Sequence, residues 1–156
     1  MMFFMVSLEF SMTLPGDIEK FLVFSKDYES FSEYLPQQLK KILILEKNDK
    51  GTVTEEILVF SSIIKKEIKQ QSLHYEKSKT NLISEILTGP AKGSVINTIF
   101  SISNGNTKID VKISLKLSLQ YRILQPVIVK WYKLILQGIL LKMNSKILSS
   151  DKELRS

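Results

Sequence analysis

The chain reads as an α+β fold, a seven-stranded curved antiparallel sheet wrapped around one long C-terminal helix, with two short helices after strand one. Two stretches and the order of elements predict it. Ile109, Val111, Ile113, Leu115 and Leu117 alternate with Lys108, Asp110, Lys112, Ser114, Lys116 and Ser118. A period of two held this long marks a strand with one buried and one wet face. The spacing then becomes helical at Leu124, Val127, Ile128, Trp131, Leu134, Ile135, Gly138 and Leu141. That helix needs an apolar partner, and the buried face of the sheet is the nearest one.

Val6, Leu8, Phe10 and Met12 alternate with Ser7, Glu9 and Ser11 and form strand one. The opening MMFFMVSLEF has no basic region and is interrupted by Glu9, so it reads as this strand and not as a signal peptide. Pro15 and Gly16 stop the ladder, and Thr13 or Asp17 can cap the helix that follows. Ile18, Phe21 and Leu22 give that short helix one apolar stripe. A second reads KDYESFSEYLP, with Tyr28, Phe31, Tyr34 and Leu35 inward and Pro36 as its stop.

Strands follow at LKKILILEK, TVTEEILVFSS, KKEIKQQSLHYE and KTNLISEILTG, the first two separated by the turn Asn48-Asp49-Lys50-Gly51. Gly89-Pro90 and Gly93 break the chain before SVINTIFSIS. Asn104-Gly105 supplies the positive-φ pair of a tight hairpin. A two-residue loop sets Phe100 opposite Ile109 and Ile102 opposite Thr107, whereas a three-residue loop turns the sixth strand over. Pro126 suits a first helical turn, and the helix is expected to run to Leu148. Residues 1–148 then form one domain, and 149–156 a frayed polar tail.

Composition removes several function classes. The chain has 156 residues and no cysteine, which excludes disulfides, thiolate metal sites and a cysteine nucleophile. No uncharged apolar run is long enough to span a bilayer, and the cytoplasm is the expected compartment. The net charge of +6 comes almost wholly from scattered lysines, including Lys130, Lys133, Lys142 and Lys146 on the last helix. They read as a solvated face with no specific nucleic-acid signal, and leave room for transient, peripheral membrane contact. Val129, Leu136 and Leu140 hint at a dimer or membrane-contact surface on that helix, and the oligomeric state is left open.

Within this order of elements the chain resembles the START-like lipid-binding superfamily, which includes polyketide cyclase/dehydrase and coenzyme Q-binding proteins. SMTLPGDIEKFLVFSKDYESFSEYLP, EILTGPAKGSVINTIFSISNGNTKIDVKISLKL and the long last helix carry the resemblance. It implies a helix-grip fold with a cavity for a hydrophobic ligand such as a lipid, quinone or polyketide-like molecule. It supplies no catalytic motif for these residues.

The expected cavity lies between the concave face of the sheet and the helix. Ile68, Gln70 and His74 are its candidates from the fourth strand. The sixth offers Ile96, Thr98, Phe100 and Ile102, the seventh Ile109, Val111 and Ile113, and the helix Trp131, Leu134 and Gly138. Gly138 is read as leaving room for ligand. Of Glu55 and Glu56 only one can face inward, because strand neighbours point apart, and a buried one has its pKa raised. Glu85 is a third strand carboxylate. No metal spacing, phosphate loop or nucleophile elbow is present, and no cofactor or catalytic residue is assigned. Without an evident cluster of titratable groups, a non-enzymatic carrier or sensor of a hydrophobic molecule is the first reading. A cyclase or dehydratase, or a protein- or ribosome-interaction module, is the alternative.

Overall fold

A computed structural model describes residues 2–60 and 66–155 of the chain. Its elements run β1 (Phe3–Leu14), α1 (Ile18–Phe24), α2 (Phe31–Tyr34, entered through a 3-10 turn at Tyr28–Ser30), β2 (Leu39–Asn48), β3 (Gly51–Phe60), β4 (Lys66–Ser78), β5 (Asn81–Ile86), β6 (Val95–Ser103), β7 (Asn106–Ser118) and α3 (Gln125–Arg155). The expected strand residues Ser61, Ser62 and Lys65 lie outside the described ones.

The sheet order is β1-β7-β6-β5-β4-β3-β2, all antiparallel. β2 to β7 form a meander, and β1 joins it beside β7. Consecutive strands β1 and β2 therefore stand at opposite edges, and the α1–α2 segment connects them.

Asn104 and Gly105 have φ of 51° and 80°, the left-handed values a two-residue hairpin loop requires. Phe100 pairs with Ile109 and Ile102 with Thr107, the two-residue register. It buries Ile109, Val111, Ile113, Leu115 and Leu117 on the concave face. Asp17 caps α1, accepting from Lys20 N at 3.2 Å. The turn before α1 is tied to both layers. Thr107 Oγ1 donates to Gly16 O at 2.7 Å, and Gly16 N donates to Asn144 Oδ1 at 2.9 Å. A Cβ at Gly16 would stand 2.7 Å from that oxygen, so the close approach requires glycine.

α3 differs from expectation in two ways. It continues past Leu148 to Arg155, 31 residues or about 46 Å. An ion pair between Lys20 of α1 and Asp151 holds the segment expected to fray. Its buried stripe is Ile128, Tyr132, Ile135, Ile139, Met143 and Ile147, roughly one residue around from the expected one. Leu134 and Leu141 consequently stand outside, 56% and 48% exposed, while Leu140 is buried at 6% and does not form part of an outer surface. The cause lies in the sequence: α3 has apolar residues on most sides, so period alone does not fix which side packs.

Candidate functional site

A cavity of about 160 Å³ lies between the concave face and α3. β7, β6, β5, β4, β3 and β2 form its floor, α3 its roof, and Ser25, Tyr28 and Phe31 of the α1–α2 segment close one side. The walls are mainly apolar, with Leu58, Ile86 and Val111 facing Ile135, Ile139 and Met143.

Set into these walls is a polar patch spanning three strands. On β3, Thr54 and Glu56 share the concave face with Leu58, since side chains alternate. The β3–β4 register places Gln70 opposite Glu56 and Ser72 opposite Thr54. The β4–β5 register places Ser84 opposite His74. Thr54, Glu56, Gln70 and Ser72 are buried at 0%, 8%, 6% and 2% exposure.

His74 is held at both ring nitrogens, by Thr54 Oγ1 on Nε2 and by Ser84 Oγ on Nδ1, each at 2.7 Å. The Tyr28 ring stacks on the imidazole, 4.2 Å between centroids and 19° from parallel. Burial lowers the pKa of His74 to about 4, so at neutral pH the ring is uncharged. It then donates through one nitrogen and accepts through the other.

Burial raises the pKa of Glu56 to about 7, against hydrogen bonds from Ser72, Thr54 and Gln70 that pull it down. Its Oε2 is buried and has no hydrogen-bond partner. Burial, and secondarily the charge of Glu56, raises the pKa of Tyr132 on α3. Tyr28 is pushed up to about 12 by burial and then by Glu76. Glu56, His74, Tyr28 and Tyr132 thus converge on one cavity, a cluster the linear sequence does not display. Among the described residues, no group of three or more His, Asp or Glu side chains is placed to hold a metal ion.

The candidate lining residues fall into four sets. Gln70, His74, Ile96, Thr98, Phe100, Val111 and Trp131 line the cavity. Ile68 lines a separate hollow of about 30 Å³ beside it. Ile109 and Ile113 are buried in the core at 0% and 1% exposure, outside the lining. The others do not reach it. Ile102 is 70% exposed at the hairpin tip, past the packed part of the sheet, and Leu134 lies on the outer side of α3. Gly138 faces α2, where an added Cβ would meet the Leu35 methyls at 3.1 and 3.3 Å, so it makes no room for ligand.

Thr54, Ser72, Ser84, Tyr28 and Tyr132 were not among the lining residues expected from the sequence. Their signal is the run of polar residues at alternate positions, Thr54-x-Glu56 and Gln70-x-Ser72-x-His74, in phase with buried Leu58. Glu55 points away and pairs with Lys69 at 3.4 Å. Glu85 accepts from the Tyr75 hydroxyl at 3.0 Å. Among the described residues no helix is long and apolar enough to cross a membrane.

No family model and no curated protein matches the chain. Solved structures do. A START superfamily protein from Mycobacterium smegmatis aligns over 93% of this chain and 97% of its own, at 13% identity and a TM-score of 0.71. The Zhui aromatase/cyclase from Streptomyces sp. R1128 aligns over 92% and 96%, at 13% identity and a TM-score of 0.76. Ginseng major latex-like protein 151 from Panax ginseng aligns over 92% and 97%, at 13% identity and a TM-score of 0.68. At such identities the likeness is one of fold, and the chain has the START-like helix-grip fold.

Proposed function

We propose that the protein binds a hydrophobic small molecule between the concave face of its sheet and α3, as a carrier or sensor. The single observation that carries this reading is an apolar cavity with one buried carboxyl side chain, Glu56, in its wall. Apolar walls supply the driving force, and a small number of polar groups fix the orientation. Native mass spectrometry of the purified protein, before and after extraction with organic solvent, tests the reading. A bound mass removed by extraction supports it. No bound mass, and no uptake of any added apolar compound, overturns it.

Glu56 also favours a second reading, of the kind the aromatase/cyclase neighbours suggest. A carboxyl with a pKa of about 7 is suited to take a proton from a carbon beside a carbonyl group and to return it. Exchange of the α-protons of cyclohexanone for deuterium, followed by NMR, reports that step. Acceleration by the protein that Glu56→Gln abolishes supports catalysis. Binding without acceleration leaves the carrier reading.

A further inference from the structure

We propose that the cavity takes a single aromatic ring bearing a hydroxyl group, with that hydroxyl seated on the Glu56 carboxyl. The proposal rests on the reading of the cavity as a ligand site and names the class of ligand. Size is the first reason. Pockets for drug-sized ligands hold roughly 300–1,000 Å³, whereas this one holds about 160 Å³. An apolar cavity of about 150 Å³ takes a benzene-sized molecule. A sterol, a prenylated quinone or a folded polyketide exceeds the space between this sheet and this helix.

The second reason is the carboxyl group in the wall. Glu56 lines the cavity and is 8% exposed, the one acidic side chain among the lining residues. A hydroxyl donates to a carboxylate and accepts from a carboxylic acid, and so pairs with Glu56 in either protonation state. An ammonium only donates, and a carbonyl only accepts. Burial holds Glu56 near neutrality, at about 7, where both states are populated. The third reason is the walls. Phe100, Phe31, Tyr28 and Trp131 present aromatic groups to the same space, which suits a flat partner.

The test compares phenol with toluene, rings of nearly equal size that differ by the hydroxyl, and with hexadecanoate as the long-chain control. Affinities are measured by calorimetric titration for the wild type and for Glu56→Leu, which removes the polar group at similar volume. The expected result is that phenol and toluene bind one per chain, and that the substitution weakens phenol at least tenfold while toluene stays within threefold. Toluene binding also reports that the variant is folded. If Glu56→Leu fails to fold, Glu56→Gln serves, and it must weaken phenol several-fold relative to toluene. Two ring compounds bound with no effect of substitution on phenol would overturn the hydroxyl assignment and leave the ligand site standing. Binding of hexadecanoate in place of the rings would do the same. Uptake of none of the three overturns both.

Discussion

Thr54 Oγ1 and His74 Nε2 stand 2.7 Å apart on neighbouring strands, and Glu56 follows Thr54 two residues along the same face. When Ser84 Oγ–H donates to Nδ1, Nε2–H donates to Thr54 Oγ1, and the other tautomer reverses both bonds. Thr54 is completely buried, and its hydroxyl is one of the groups that pull the Glu56 pKa down.

Replacing Thr54 with valine keeps the shape and removes this link. The His74 nitrogen is left buried without its partner, at an expected cost of about 1–3 kcal/mol. Urea denaturation measures it. A midpoint equal to that of the wild type would show that the hydrogen bond is dispensable.

Glu56 and His74 are predicted to give opposite pH dependences of stability. Glu56 goes from its ordinary 4.5 up to about 7 in the folded protein, so its contribution is full below pH 4.5 and is lost as pH rises to 7. His74 goes from 6.5 down to about 4, so its contribution is full above pH 6.5 and is lost as pH falls towards 4. Each spans about 3 kcal/mol at 1.36 kcal/mol per pH unit. Between pH 4.5 and 6.5 the two slopes cancel in the wild type. Glu56→Gln should therefore become more stable with rising pH in this window, and His74→Gln less stable, relative to the wild type. Denaturation of the three proteins at several pH values checks it, and parallel curves would contradict the burial of both groups.

Gly105 tests the hairpin. Its φ is 80°, and nothing lies within 4 Å of where a Cβ would stand, so a substitution there meets only backbone strain. Gly105→Val is expected to destabilise by about 1–3 kcal/mol and Gly105→Asn by much less, because asparagine tolerates the left-handed region. Equal midpoints for the two variants would exclude strain as the cause.

Gly138 separates packing from ligand binding. Gly138→Ala gains up to about 1 kcal/mol of helix propensity, offset by displacement of the Leu35 methyls. Its stability is expected to stay within about 1 kcal/mol of the wild type, with ligand affinity unchanged. A tenfold loss of affinity for an apolar ligand would place Gly138 at the site after all.

The features legible in the sequence are the local ones. The β7 alternation and the Asn104-Gly105 turn together specify a hairpin, because a turn two residues long leaves one register. The rest depends on contacts far apart in the chain. Lys20 holds Asp151 across 131 residues, so the last turns of α3 looked like a loose tail. Leu134 and Tyr132 are both plausible core residues on a helix apolar on most sides, and only the sheet beneath selects Tyr132. The choice between Glu55 and Glu56 turns on strand parity, and the polar patch around Glu56 exists only once β3, β4 and β5 are in register.

Trp131 gives the most direct measurement of whether the cavity is a ligand site. It is the only tryptophan in the chain, lines the cavity, and lies 4.2 Å from Phe60 and 5.2 Å from Tyr132 between ring centroids. Bromobenzene is apolar, close in size to the space, and quenches indole emission on contact. Iodide quenches equally well but is charged and excluded from an apolar interior. A bound ring predicts quenching by bromobenzene that saturates with one site per chain, while iodide gives a weak, linear response. Quenching by bromobenzene that rises linearly without saturation would mean that nothing binds there, and would leave the space as a packing defect between sheet and helix.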